Sequence, residues 1–581
     1  MCDSVSSAEE LEQLVAIAFG PEGRAVMVQQ PTGQFTITRS GHSILTSIYP
    51  EPDPKQPAQH MLIDCARRVH ESLGDGVKSF IIMTSSLLKY CKSLDNPTDV
   101  ARQLGMLGRQ LSSFQCQRTE LPAVNDSVLT ERIVCFETVI QTFFSTRFPA
   151  PVCNSLSSLL CQWIQSNTGS ALELKMQSYS QRTLQTLLKD FSVLCQYKNG
   201  GSRPVSDSFI RQGSRLCRPA INLSVSGPCR IHFLMLGDSD SPGSGCFDDI
   251  DIQSEVERFL NNLRTEGCEY ERILLVTSAI LSDLTLFRLR SLNIAVLQGI
   301  LPEEVNYIYT AMFPLQREDS RETVINVKPE VDCTWLEIPN IYQLILHAPT
   351  SELSTEYACS CQSAIKLCIV AASHALMPNF SPCVTKVGGS FEKALQMHLA
   401  VESGKSLHDP LSCGVANRAE LMEWHKQYRA VSQNSQSTVS GSDTCRRDSR
   451  SQVENLGTGA TVKTEAINEH TLSATSLINI PNFNDLHDTF SKMTLLDNAT
   501  MDQVLWHVSK ACAGLDADVM GALVKTLLAV QRRLPHSHKM KQNSGLEPVG
   551  LKLCILQHSL CATASLLRIS GILQVKKKLP S

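Results

Sequence analysis

The chain has 581 residues, 42% of them hydrophobic and 19% charged, and a net charge of −4. This is the composition of a multi-domain globular protein, and it excludes a disordered or collagen-like chain. The near-neutral balance gives no broad pull toward nucleic acid or anionic lipid, and no apolar run reaches the roughly 20 residues that cross a bilayer. Met1-Cys2-Asp3-Ser4 lacks the basic flank and apolar core of a secretory leader, so the 22 cysteines read as small buried hydrophobes kept reduced, in the cytosol or a space continuous with it.

In chain order, Ser7 and Glu10 stand at capping-box spacing ahead of Leu11, Leu14, Val15 and Ala18, which predicts a first helix. It stops at Gly20-Pro21-Glu22-Gly23, where two glycines and a proline break regular structure. Val26-Met27-Val28, a turn at Pro31-Thr32-Gly33, and Phe35 and Ile37 alternating with threonines predict a β-hairpin. A helix over about 58–73 ends at Gly74-Asp75-Gly76, and another begins at once with Phe80, Ile81, Leu87 and Leu88 on its buried side.

The middle alternates. Strands at about 230–236, 273–276 and 294–297, with helices at 256–263 and 281–289, predict a small α/β unit with parallel pairing. Residues 432–463 are rich in serine and nearly free of apolar side chains; they bury too little surface to offset their ordering entropy and read as a flexible insertion. Leu553, Leu556, Leu560, Ala564 and Leu567 then predict a long buried final helix. No internal repeat is visible.

Few residues suggest chemistry by themselves. Cys359 and Cys361, and His536 and His538, lack a second pair at zinc-site spacing, and no Walker-type loop or Gly-x-Ser-x-Gly elbow is present. Gly74-Asp75-Gly76 ahead of a helix N-terminus is a suitable cradle for phosphate, with Asp75 placed to hold magnesium, and Gly20-Pro21-Glu22-Gly23 supplies a second turn. Either motif alone is more often a helix cap or a loop. Lys78 reads equally as a phosphate ligand and as a solvent-facing helix lysine.

Order and spacing add to this. Phe19-Gly20-Pro21-Glu22-Gly23-Arg24 resembles the Leu-Gly-Pro-x-Gly loop of group II chaperonins, and Thr38-Arg39-Ser40-Gly41-His42-Ser43-Ile44-Leu45 resembles their Thr-Asn-Asp-Gly-Ala-Thr-Ile-Leu stretch. Gln56-Pro57-Ala58 resembles His-Pro-Ala, and Gly74-Asp75-Gly76-Val77-Lys78-Ser79 resembles Gly-Asp-Gly-Thr-Thr-Ser. Val387-Gly388-Gly389-Ser390-Phe391-Glu392 resembles Gly-Gly-Gly-Ala-x-Glu, and Glu547-Pro548 through Lys552, with Ala564 to Ile569, resembles the family's last helix. Within the family, the first loop, the Gly-Asp-Gly segment and the serine-rich insertion are most similar to the Bardet-Biedl syndrome chaperonin-like proteins.

The resemblance implies a multi-domain chaperonin fold. A mainly α-helical equatorial domain would take residues 1–128 and 386–581 with the insertion at 432–463, a mixed α/β intermediate domain 129–204 and 346–385, and an α/β apical domain 205–345. It implies ATP and Mg2+ as cofactors, with Gly20, Pro21, Gly23, Gly74, Asp75, Gly76, Lys78, Ser79, Gly388 and Gly389 as nucleotide-binding residues and Asp75 as the metal ligand. The partners it implies are cytosolic chaperonin subunits, other Bardet-Biedl chaperonin-like proteins and client subunits of a ciliary coat complex. The implied location is the cytoplasm, including the centrosome, basal body and cilium.

Departures from the pattern bear on turnover. Ser40 stands where the family has an Asp, no carboxylate lies at 363–365 where a second is expected, and Val77 and Lys78 replace two threonines. Hydrolysis needs carboxylates to orient and deprotonate water, and losing one positioned base removes about 10²–10⁴ in rate. The expectation is an assembly-assisting protein that binds ATP with impaired hydrolysis and has no catalytic residue to name. The alternatives are an active ATP-hydrolysing ring subunit and a scaffold whose pocket has collapsed around side chains such as Val77.

Overall fold

A computed structural model describes residues 2–20, 23–29, 33, 35–50, 56–115, 126–168, 184–197, 203–223, 226–234, 249–266, 272–312, 324–330, 332–339, 341–373, 384–402, 504–505, 507–534 and 545–569. The 432–463 insertion, Pro21 and the His536/His538 pair lie outside them. The chain divides into two compact units, Met1–Glu392 with Ala529–Ser581, and Lys393–Leu528.

The first unit opens with helix α1 (Cys2–Ala16), the hairpin β1 (Val26–Gln29) and β2 (Phe35–Thr38), and helices α2 (Gly41–Ile48), α3 (Pro57–Leu73), α4 (Val77–Lys92), α5 (Pro97–Gln115), α6 (Asp126–Ser145) and α7 (Ala150–Thr168). The first helix starts at Cys2, so Ser7 sits buried in its interior and does not cap it. Short helices α8 (Leu184–Lys189) and α9 (Phe191–Leu194) lead into strands β3 (Cys195–Tyr197), β4 (Phe209–Gln212) and β5 (Ser214–Leu216). Then come β6 (Gly227–Leu234), α10 (Asp249–Glu266), β7 (Ile273–Thr277), α11 (Asp283–Ser291), β8 (Ile294–Leu297), α12 (Pro302–Met312), β9 (Val324–Glu330), β10 (Cys333–Glu337) and β11 (Tyr342–Leu346). Helix α13 (Ser351–Ser373), strand β12 (Val384–Lys386) and helix α14 (Ser390–Glu402) follow, then α15 (Ala517–Arg532), β13 (Leu546–Pro548) and α16 (Val549–Leu567). The second unit takes α14 from Lys393 onward and α15 through Leu528, and carries the buried side chains Leu395, Leu399, Leu505, Leu523 and Leu527.

The central sheet is mixed, in the order β5-β10-β9-β6-β7-β8. The predicted strand–helix alternation gives its parallel part, with β6 on β7 and β7 on β8, while β9, β10 and β5 join antiparallel. Both β7 and β8 are buried at every residue, as strands covered on two faces must be. Leu275 and Val296 pack there with Leu234, Val256 and Leu289.

Helix α16 is the core of the helical layer and packs on α5, α4, α3 and α13. By length and composition it is apolar enough to cross a membrane, but most of it is buried inside the fold. Two glycines one turn apart on α5 allow the close approach: a Cβ on Gly108 would stand 2.7 Å from Cys561 Sγ, and one on Gly105 3.3 Å from the Arg568 guanidinium.

Candidate nucleotide cradle

Three chain segments meet at the start of α4. Gly74 ends α3 at φ 79, and its amide donates to His70 O at 2.8 Å. Gly76 precedes α4 at φ 93 with no side-chain cap. Both conformations favour glycine, and packing closes the remaining space. A Cβ on Gly74 would lie 2.6 Å from Ser363 O, and one on Gly76 2.7 Å from Ile555 Cδ1. Gly20 has φ 78, and a Cβ on Gly23 would lie 2.5 Å from Ala18 O.

Lys78 joins these segments. Its Nζ donates to Ala18 O at 2.8 Å, just before the Gly20 turn, and to Arg39 O at 3.1 Å, just after β2. Burial lowers its pKa to about 8 against the raising effect of Asp75. The lysine is thus not the solvent-facing residue of one sequence-based expectation, because its head is bound to the backbone of two other segments. Ser79 follows it, half-buried, in the first turn of α4. Ser40 is buried and caps α2: its Oγ accepts from Ser43 N at 3.4 Å, and its own amide donates to Thr38 Oγ1 at 3.0 Å.

Asp75 faces Arg147, whose guanidinium lies 3.3 Å away, and whose side chain is only 8% exposed. Burial would raise the Asp75 pKa, but Arg147 and Lys78, with the Gly76 amide, hold it below the usual carboxylate value. Arg147 also stacks over Phe143 at 4.2 Å. Beside this pair the His42 and His70 rings stack at 4.0 Å. Burial first, then the neighbouring ring and the Arg147 and Lys366 cations, bring His70 down to about 3, so both rings are neutral at pH 7. On α13, Glu356 accepts from Thr38 Oγ1 at 3.4 Å; burial raises its pKa against the effect of Arg147.

Gly388 and Gly389 sit elsewhere on the same unit. Their φ values are 90 and 84, and Gly389 faces Leu534 and Gln531. They follow β12, which pairs with β13, and lead to a buried triad in which Lys552 Nζ lies 3.0 Å from both Glu392 Oε1 and Glu547 Oε1. Its link to the cradle is electrostatic, from Glu547 to Asp75.

The residues fit a phosphate group better than a magnesium ion. The uncapped start of α4 and two cations suit an anion, whereas a divalent ion at Asp75 would have to displace Arg147 and sit beside Lys78. Among the described residues no cluster of three or more His, Cys, Asp or Glu is placed to hold a metal. Arg147 and Glu356 were not anticipated. Each lies far along the chain from its partner, and no local spacing marks either one.

The TCP-1/cpn60 chaperonin family profile matches residues 11–180, the stretch that contains Gly20, Asp75, Lys78 and Arg147. A crystal structure of a group III chaperonin in the open state superposes with a TM-score of 0.50 at 13% identity, covering 98% of each chain; at that identity the likeness speaks for the fold. The chain has a multi-domain chaperonin fold, and over residues 11–180 it is similar to the TCP-1/cpn60 chaperonin family.

Among its relatives, it is similar to the BBSome complex assembly protein BBS10 of Homo sapiens, with 27% identity over 234 residues, or 38% of this chain and 29% of that protein. The match thus spans under a third of that relative. T-complex protein 1 subunit delta of Bos taurus is 24% identical over 332 residues, 52% of this chain and 55% of that one. Thermosome subunit beta of Desulfurococcus mucosus is 30% identical over 91 residues.

Proposed function

We propose that this chaperonin-like protein assists assembly of a multi-subunit complex by joining related chaperonin subunits, and that its cradle can hold the phosphates of ATP but turns nucleotide over poorly. Its client would be a ciliary coat complex of the kind named in its BBS10 relatives, and its setting the cytoplasm near the basal body and cilium. The proposed equatorial, intermediate and apical domains carry the ranges given above, with Gly20, Pro21, Gly23, Gly74, Gly76, Lys78 and Ser79 at the phosphates and Gly388 and Gly389 on the adjoining ribbon. If magnesium enters with ATP, Asp75 is the residue to receive it, after release from Arg147.

The observation that carries this reading is how the cradle's polar groups are used. Asp75 is paired with Arg147, Lys78 is bound to two backbone carbonyls, and Ser40 is engaged as a helix cap, so none stands ready as a base for water. Apolar surface is displayed elsewhere. Met27, Ile37 and Phe35 share one face of the hairpin, in register Met27↔Ile37 and Gln29↔Phe35, and each is more than half exposed. Exposed apolar side chains grouped on one face mark interaction surfaces. Native mass measurement of the complex recovered with the full chain tests the proposal. Co-assembly with chaperonin-type subunits supports it, and a monomer without such partners overturns it.

Glu356 favours a second reading, an active ATP-hydrolysing ring subunit. It supplies a carboxylate of raised pKa beside the cradle, where a general base would be effective. Magnesium-dependent phosphate release abolished by Glu356→Gln would establish that role.

A further inference from the structure

We propose that Cys65 and Cys561 are a redox-responsive thiol pair, oxidised by a hydroperoxide to a disulfide that staples α3 to the core helix α16.

Most of the described cysteines are buried, as small apolar side chains are. Cys65 and Cys561 are each half-buried, and they stand on two helices that pack on one another. Their levels along those helices agree. Helix α3 ends at the cradle and α16 begins beside it, where Ile555 lies against Gly76. Cys65 precedes Gly74, and Cys561 follows Ile555, by about 13 Å and about 9 Å at the α-helical rise, so each thiol stands roughly two turns from the cradle. Helices packed about 8–10 Å apart, with Cα atoms about 2.3 Å off each axis, bring facing Cα atoms to roughly 5 Å, a separation that a disulfide spans. On the α5 side Gly108 leaves the sulfur its place, since a Cβ there would stand 2.7 Å from Cys561 Sγ.

The charges around the pair set an order. Burial raises both thiols, opposed by Arg68 at Cys65 and by Arg109 at Cys561. Asp64 and Cys561 itself raise Cys65 further, which brings the two sulfurs within electrostatic reach and makes Cys561 the first to ionise. The thiolate is the nucleophile. Cys561 attacks a peroxide oxygen: an S–O bond forms, the O–O bond breaks, and the departing hydroxide takes up the thiol's proton as water. Cys65 then attacks the sulfenic sulfur: the S–S bond forms, the S–O bond breaks, and hydroxide leaves with the Cys65 proton as a second water. The two thiols lose the two electrons that the peroxide gains. The bond would tie the helix that ends at Gly74 to the helix that touches Gly76, and this does not rest on nucleotide binding.

Peptide mass mapping of the full chain tests this. The native protein is treated with hydrogen peroxide, remaining thiols are blocked with iodoacetamide, and the digest is left unreduced. A linked Cys65–Cys561 peptide is expected at a yield about tenfold or more above that of any other described pair, because thiols held side by side react at a high effective concentration. Dithiothreitol should remove it. In Cys65→Ser the resolving thiol is gone, so dimedone should trap Cys561 as its sulfenic acid. Recovery of both cysteines as iodoacetamide adducts, or of both as sulfinic acids, would overturn the inference. The same yield of the link from protein unfolded in guanidinium would overturn it too, since the fold would then play no part in the pairing.

Discussion

The cradle and the central sheet unit place their polar and apolar groups in opposite ways. At the cradle, charged groups are partly buried and matched to partners, Asp75 to Arg147 and Lys78 to carbonyls. In the sheet unit the interior is apolar throughout β7 and β8, yet Leu284 and Phe287 on α11 are 64% and 67% exposed, with Ile280 before them at 76%. A chain able to bury Leu275 and Val296 completely does not expose Phe287 for want of a core. The difference teaches that the polar groups here serve to hold the fold together, and that the outward-facing apolar side chains are where contact with other proteins is available.

The largest expected effect that sharpens this contrast is at Gly74. Gly74→Ala adds a Cβ against the Ser363 backbone at a positive φ and should cost about 3–4 kcal/mol in denaturant unfolding. Gly388→Ala, at φ +90 but with open space around it, should cost about 1–2 kcal/mol, the left-handed backbone cost alone. On the sheet side, Leu275→Ala empties a fully buried position and should lose about 3 kcal/mol.

Arg147→Met leaves Asp75 without its guanidinium and should cost about 2 kcal/mol, with His70 titrating at higher pH by NMR because a nearby cation has gone. The triad gives a pH signature. Burial, with Glu392 beside it, pushes Glu547 up to about 7 despite the pull of Lys552. As pH rises from about 4.5 to about 7 the unfolded chain releases this proton while the folded chain keeps it, so the folded state binds more protons and stability falls. That fall should be at most about 3 kcal/mol, at roughly 1.4 kcal/mol per unit, and Glu547→Gln should remove it from a pH series of unfolding curves. The smallest effect on stability belongs to the exposed face. Leu284→Ser with Phe287→Ser should change unfolding by no more than about 0.5 kcal/mol while weakening co-purification with partner proteins.

Much of the fold was legible in the sequence because the signals were local. Gly20 and Gly74 announce turns that only glycine adopts without strain, the continuous apolar runs at 273–276 and 294–297 mark doubly covered strands, and the spacing from Leu553 to Leu567 marks the core helix. What was hidden depends on contacts across long separations. Arg147 reaches Asp75 over 72 residues, and Glu356 reaches Thr38 over 318. Lys78 looks like any helix lysine until Gly41 is placed beside its stem. The antiparallel half of the sheet was missed because β9 pairs with β6 and β10, and β10 with β5, an order no helical alternation foreshadows. The similarity to chaperonins was legible through motif order, which survives even where single residues such as Ser40 depart from the pattern.

The most direct test of the central claim, that the cradle's polar groups are committed to structure, is phosphate release from Mg2+-ATP under single-turnover conditions. The wild type is compared with Asp75→Asn, both confirmed folded. Release at the same low rate from both proteins is the expected result. Magnesium-dependent release by the wild type that disappears in Asp75→Asn would contradict it.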